Sequence, residues 1–182
     1  MITFDESALV LMVPEAEKLV GSYRRKFTTD GAIGMPAHIT ILYPFLKSTA
    51  WNDTTRRILM DTVARLSSFS FQLVRLNRFR EHNILYLELS PDSEILNMIH
   101  LVSGAFPDHP PFGGEIPPDK IIPHLTVAAG FGNDEIPKVE QLIYKEVASH
   151  LPLNISVGEL SLAIKVSNRW TISESFKLGD EG

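Results

Sequence analysis

The chain has 182 residues, 44% of them apolar, with a formal net charge of -5 and a pI near 5.7. That length and apolar fraction suffice for one sizeable core, and no linker-like stretch divides it, so a single domain over residues 1–182 is expected. The complete lack of cysteine excludes disulfides, thiol nucleophiles and thiolate metal sites, and the acidic balance speaks against long DNA or RNA, which is held through many Lys and Arg contacts to phosphate.

In MITFDESALVLMVPEAEK, acidic residues stand where a secretion signal needs basic ones, and the apolar run Ala8 to Val13 is too short for a signal core or a membrane span. A cytoplasmic chain with no membrane partner is expected. The run ALVLMV reads as a strand ending at Pro14, and EAEKLVGSYRRKF as a helix. After the glycine-rich loop TTDGAIGMP comes the β-branched strand HITILY. NDTTRRILMDTVARLSSF then has Asn52 or Asp53 placed to cap a helix, and FSFQLVRLNRF alternates as a strand. The order is β-α-β-α-β.

The second half repeats it. NILYLELS reads as a strand, SPDSE opens a helix that runs through ILNMIHLVSGAF, HLTVAA is a strand, a helix lies near Asp134 to His150, and LNISVGELSLAIKV is a strand. RWTISESFKL closes the chain as a hairpin partner of that last strand through Ser167 and Asn168. Two similar halves follow, each an α+β lobe with a small sheet packed on helices. Between the helix of the second half and HLTVAA, FPDHPPFGGEIPPDKIIP is the one long irregular segment, stiffened by five prolines between Pro107 and Pro118. Such loops are usually functional or disordered. Phe112 with Gly113 and Gly114 could form a lid, or the segment could be a plain connector between lobes.

The third element of each half carries the same short pattern, His38-Ile-Thr40 and His124-Leu-Thr126, with a proline just upstream. From the His and Thr content roughly a third of one His-x-Thr is expected by chance, so two in equivalent strands are suggestive. Side chains alternate along a strand, which puts each His and Thr on one face and the branched residues on the other. If the lobes are related by a pseudo-twofold, the two polar stripes meet across a groove. Two imidazoles facing each other suit phosphodiester cleavage, which needs a base for the attacking hydroxyl and an acid for the leaving oxygen on the opposite side. The Thr hydroxyls can hold the phosphoryl oxygens between them, and no metal is required. The other histidines read as structural: His82 in a turn, His100 in a helix, His109 in the proline-rich loop and the one to watch, and His150 at a helix C-terminus. The clusters Arg24, Arg25, Lys26 and Arg75, Arg78, Arg80 read as solvated faces before they read as anion sites.

These motifs, with HITILYPF, FPDHPPFGGEIPPDKIIPHLTVA, LNRFREHNILYLEL and RWTISESFKLG, resemble the two-histidine phosphoesterase superfamily, and within it the 2′-5′ RNA ligase-like proteins. The resemblance spans nearly the whole chain. It implies a bilobal α+β fold, two pseudo-symmetric lobes each with a small antiparallel sheet on helices and a central cleft, and cleavage of 2′,3′-cyclic phosphates or related nucleotide and RNA-end phosphodiesters with no cofactor. Carried onto this sequence, it makes His124 the base for water, His38 the acid for the departing 3′ oxygen, and Thr40 and Thr126 the phosphate grip. A near-symmetric site leaves the reverse assignment open for another substrate.

Tyr43, Phe45, Phe79 and Phe112 are candidates for stacking a base, with Phe45 and Phe112 best placed beside loops, while Trp170 reads as packing. The acidic balance favours a nucleotide, dinucleotide or short RNA end as partner. Ligation is the reverse of cleavage and uses the same groups. Two other readings compete: a nucleotide or RNA-end binder of the same fold that turns nothing over, and a metallohydrolase drawing on His38, His124, His109 and Glu115, which no compact histidine cluster supports.

Overall fold

The computed structural model describes residues 3–179; Met1 and Ile2 of the N-terminal segment read above lie outside them. Its strands are β1 (Glu6–Met12), β2 (His38–Leu42), β3 (Phe69–Phe79), β4 (Ile84–Ser90), β5 (His124–Ala128), β6 (Leu153–Val157), β7 (Glu159–Val166) and β8 (Arg169–Lys177). The helices are α1 (Pro14–Phe27), α2 (Thr29–Ala32), α3 (Asp53–Val63), α4 (Ser93–Ala105) and α5 (Ile136–Val147). Two four-stranded sheets form, ordered β2-β1-β7-β8 and β5-β4-β3-β6, with every neighbouring pair antiparallel.

Local chemistry explains the helix ends that matter. Proline opens α1, Glu15 and Glu17 sit in its first turn and Arg24 to Lys26 in its last, as the helix dipole favours. Asn52 caps α3 by accepting from the Thr54 and Thr55 amides while the Thr55 hydroxyl accepts from the Asn52 amide. At the end of α1, Thr28 both donates to the Arg24 carbonyl and caps α2 by accepting from Gly31. A side chain at residue 31 would bring its Cβ within 2.5 Å of that same carbonyl, so glycine is what lets α2 fold back onto α1. The sequence pattern reads this stretch as loop, because a four-residue helix is too short to show a period.

Three further expectations change. LNISVGELSLAIKV is two strands: the chain leaves one sheet as β6, turns at Gly158 and enters the other as β7. The sequence halves are therefore not the lobes. Strand β3 of the first half inserts between β4 and β6, while β7 and β8 of the second extend the first half's sheet beyond β1, so each half lends strands to the other's sheet. Alternation tells a strand which of its faces is apolar but not which neighbour it pairs with. The proline-rich segment is also not featureless, since it contains 3₁₀ turns at Pro111–Gly114 and Pro118–Lys120.

One buried cluster runs through both lobes, with Leu9, Ile39 and Ile41 from the first sheet, Leu87, Leu125 and Val127 from the second, and Val20, Leu59, Met98 and Ile143 from the helices. Each such fully buried side chain contributes about 1.5–3 kcal/mol. A smaller cluster of Ala8, Val10, Met35, Ala163 and Trp170 covers the other face of the first sheet. The polar face of β2 lies beside it.

Candidate active site

Strands β2 and β5 are the outermost strands of their sheets and lie against one another. On β2, Ile39 and Ile41 are fully buried while His38 and Thr40 are half-buried, and β5 repeats the alternation with Leu125 and Val127 buried beside His124 and Thr126. The two His-x-Thr stripes thus come together between the lobes, near enough that a charge on His124 disfavours one on His38.

The rings are held alike. Nδ1 of His38 lies 2.8 Å from the Pro36 carbonyl, and Nδ1 of His124 lies 2.7 Å from the Ile122 carbonyl, in each case the residue two before the histidine. A carbonyl only accepts, so Nδ1 carries the hydrogen and the neutral ring keeps its lone pair on Nε2. Each strand presents the nitrogen that acid-base chemistry uses, already in one tautomer.

Their surroundings differ. Against His38 stands Arg24 of α1, 1% exposed, its guanidinium donating through Nη1 to the Thr126 carbonyl and through Nη2 to Asp30 at 3.0 Å and the Met35 carbonyl at 3.4 Å. The same Nη2 is 3.5 Å from His38 Nδ1, and Asp30 lies 4.0 Å from His38 Nε2. Burial, and after it the Arg24 charge, pull the His38 pKa from 6.5 down to about 4, although the Pro36 carbonyl and Asp30 work the other way. Burial pushes the Asp30 carboxyl up, but Arg24, His38 and Thr28 outweigh it and leave it below its usual range. His124 is lowered by burial alone, opposed by the Ile122 carbonyl. Its ring meets Phe79 edge-on at 4.9 Å and Tyr86 at 5.5 Å, and those two rings stack at 4.0 Å.

Arg24 is the residue that the sequence reading passes over. Arg25 and Lys26 are exposed as a solvated face requires, but Arg24 is enclosed. Its signal is the spacing: Ala16, Val20 and Arg24 fall four residues apart, on the stripe that α1 buries.

A cavity adjoins each histidine. That beside His38, about 330 Å³, is lined by Thr40, Asp30, Glu6, Lys165, Tyr43 and Trp170 among others. That beside His124, about 630 Å³, has Phe79, Phe112, Ile84, Ile116 and Ile122 for walls, with Arg78, Arg80, Glu81, His82 and Lys120 around them. Of the aromatic candidates, Tyr43 faces the smaller cavity with its hydroxyl 3.0 Å from Glu6, and Phe79 and Phe112 face the larger. Phe112 does so from a left-handed backbone, φ 53°, followed by Gly113 at φ 64°, so the proline-rich segment builds a wall of this cavity. Phe45 is a correction. It is 4% exposed and enclosed by the rings of Trp51, Phe106 and His109, because the chain turns inward after Pro44, and it offers no face to a ligand. Trp170, 7% exposed, packs in the small second cluster and also borders the His38 cavity.

His109 is engaged by Phe45, His150 places Nδ1 3.0 Å from the Glu146 carbonyl, and His100 is exposed on α4. Among the described residues no three His, Asp or Glu side chains converge to metal-binding range, and no helix is long and apolar enough to cross a membrane.

Residues 12–168 match the family model of the 2′-5′ RNA ligase superfamily. A protein of Bacillus licheniformis described as "Putative phosphoesterase" is 25% identical over 166 residues, covering 90% of this chain and 92% of its own length. Among solved structures, E. coli LigT complexed with 3′-AMP superposes with a TM-score of 0.61 at 15% identity, over 96% of this chain and 98% of that one. The Thermus thermophilus protein TT0787 gives 0.60 at 14%, over 97% and 100%. At these identities the structures establish a shared fold, the bilobal α+β arrangement of two antiparallel sheets with helices.

Proposed function

The chain belongs to the 2′-5′ RNA ligase superfamily, and from that membership we propose that its cleft cleaves a nucleotide or RNA-end phosphodiester, a 2′,3′-cyclic phosphate being the simplest, through His38, Thr40, His124 and Thr126. The observation that carries this reading is the meeting of two His-x-Thr strands whose Nδ1 atoms are both tied to backbone carbonyls, leaving two Nε2 atoms for proton transfer. Water attacks phosphorus and gives its proton to one Nε2. The bond from phosphorus to the 3′ oxygen breaks, that oxygen takes a proton from the other Nε2, and a 2′-phosphate remains. Thr40 and Thr126 donate to the non-bridging oxygens, and this fixed polar frame favours the crowded, more negative transition state. With a 5′ hydroxyl attacking in place of water, the same groups break the same bond to the 3′ oxygen and leave a 2′-5′ linkage.

Phe79 and Phe112 supply the face on which a base stacks, in a cavity large enough for a nucleoside. The nucleotide held by the E. coli neighbour supports the same ligand class. The test is phosphorus NMR of 2′,3′-cyclic nucleotides and cyclic-phosphate-ended short RNAs, incubated in EDTA with wild type, His38→Ala and His124→Ala. Chelator-resistant conversion to a 2′-phosphate, lost in both variants, is expected. Wild-type binding of these ligands without turnover would favour a binding protein instead.

A further inference from the structure

The two motifs can act on one phosphate only if β2 and β5 stand at a fixed separation, yet these strands are not paired with each other in either sheet. They meet through buried aliphatic side chains, and apolar packing has no direction of its own. We propose that α1 is the ruler between them: Glu17 from its first turn and Arg24 from its last set where β2 and β5 stand, and so hold the reacting groups in line. This rests on the phosphodiesterase reading above. Both are positioning residues, since each reaches the reaction only through a motif strand.

The spacing on the helix comes first. Glu17 and Arg24 are seven residues apart, close to two full turns, so they project from the same side of α1, about 10 Å apart along its axis. The Glu17 carboxylate accepts from the amide of Ala37, the residue just before His38, at 2.7 Å, and the Val13 amide at the head of the helix donates to the Ala37 carbonyl at 3.0 Å. The N-terminal end of α1 thereby holds the start of β2. Its C-terminal end holds β5: Arg24 donates through Nη1 to the Thr126 carbonyl, and the Phe27 carbonyl accepts from the Ala129 amide at 2.9 Å, just past the strand. Arg24 also turns back toward β2, through Nη2 to the Met35 carbonyl at 3.4 Å and to Asp30 at 3.0 Å. One planar guanidinium thus bonds to the chain before the first motif and to the backbone of the second.

A glycine inside the helix points the same way. Gly21 stands in the middle of α1, where glycine is unfavourable relative to alanine. It lies between Glu17 and Arg24 along the helix, and a Cβ there would be 2.1 Å from Glu17 Oε1 and 3.0 Å from Arg25 Nη1. Those two atoms are bonded to one another at 2.7 Å across the glycine. With no side chain at residue 21, the Glu17 carboxylate places one oxygen on Arg25 and the other on Ala37. The clash is with the tips of two flexible side chains and not with backbone, so alanine would displace the carboxylate and leave the helix intact.

Stability is a poor reason for Arg24 to be where it is. It is 1% exposed, its Nε is buried with no partner among the described residues, and a buried arginine-carboxylate pair is often no more stable than apolar side chains of similar volume. Replacing Arg24 by Met together with Asp30 by Asn leaves no uncompensated carboxylate and removes only the bridge.

Two measurements decide it, and the first needs no substrate. Residual dipolar couplings of backbone amides, read by NMR in the resting protein, report the orientation of β2 relative to β5. In wild type the two strands should fit one alignment frame. In the double variant Arg24→Met, Asp30→Asn and in Arg24→Lys, each sheet should keep its own geometry while β5 turns or loosens relative to β2. Lysine retains the charge but lacks the fork that reaches both strands, and it serves if the double variant does not fold. Unchanged couplings between β2 and β5 in a folded variant overturn the proposal whether or not any ester is cleaved.

The second is turnover of uridine 2′,3′-cyclic phosphate. A misplacement of about 1 Å costs on the order of 10²-fold, so the Arg24 variants should lose roughly 10- to 100-fold in kcat with KM within about threefold. Gly21→Ala should also lose kcat while melting at or above the wild-type temperature. Glu17→Ala should share that loss, and Glu17→Gln, whose amide oxygen still accepts from Ala37, should restore most of it. A loss confined to KM, an Arg24→Lys variant as active as wild type, or Gly21→Ala with unchanged kcat overturns the ruler. No turnover by wild type would sink the phosphodiesterase reading, and the couplings would still judge what α1 does to the two strands.

Discussion

On the His38 side of the cleft the motif is backed by a buried ion pair, Arg24 with Asp30, and opens on a small polar cavity; on the His124 side it is backed by stacked rings, Phe79 and Tyr86, and opens on a larger apolar one. The strands themselves are near copies. Both bury the same alternate positions and both fix the histidine through a carbonyl two residues upstream. A repeated strand therefore sets the tautomer and the facing of the two rings, whereas everything that could distinguish their protonation comes from elements the repeat does not copy: the last turn of α1, α2, and the wall formed by the proline-rich segment.

The hardest blow to this pairing is removal of either imidazole. His38→Ala and His124→Ala are each expected to cut kcat/KM by roughly 10²- to 10⁴-fold, with circular dichroism and melting showing a folded chain. Activity near wild type in either variant would break the pairing.

Aromatic substitutions separate stacking from packing. Phe112→Ala and Phe79→Ala should raise KM roughly 5- to 150-fold, as the loss of about 1–3 kcal/mol of base stacking would, and leave melting little changed for the former. Phe45→Ala should do the opposite, costing about 3–5 kcal/mol of stability as a core ring truncation does, read by denaturant unfolding with KM per folded protein unchanged.

Below these come the hydroxyls. Thr40→Ala and Thr126→Ala remove a hydrogen bond to a charged oxygen, about 1.5–3 kcal/mol, and should lower kcat/KM about 10- to 150-fold, less than either histidine, in steady-state kinetics.

The smallest effect is on the acid dependence of stability. His38 is held at about 4 when folded against 6.5 unprotected, so on acidification the unfolded chain takes up the proton first. The stability that goes with neutral His38 is complete above about pH 6.5 and drains away as pH falls toward 4. Melting temperature plotted against pH should fall through that window in wild type and fall less steeply in His38→Gln. Equal slopes would mean that the His38 side is not the charged, enclosed environment described here.

Much of this was legible in the residues. The β-α-β-α-β repeat, the two motifs on equivalent strands and the alternation that puts each His and Thr on one face are all short-range patterns, and the motifs carry the resemblance to the family. Asn52 announces its helix because a cap is a local device. The reading fails where chemistry is decided by distant partners. FPDHPPFGGEIPPDKIIP looks like a lid or a connector because nothing in its composition says that Phe112, Ile116 and Ile122 turn toward His124. Phe45 sits next to a loop in sequence but against Trp51 and Phe106 in space. Arg24 adjoins two cations that are solvated, and only its four-residue spacing from Ala16 and Val20 marks it as buried.

The sequence by itself determined most of the longer elements, their duplication and the two His-x-Thr pairs that the cleft brings together, because side-chain periodicity and motif spacing are properties of neighbours along the chain. The tertiary structure decided the exchange of β3 for β7 and β8 between the sheets, the burial of Arg24 between two motifs far apart in the chain, and the unequal cavities on either side of them. Those depend on which strand pairs with which and on where a charge is cut off from water, and both are set by long-range packing that no window of the sequence contains.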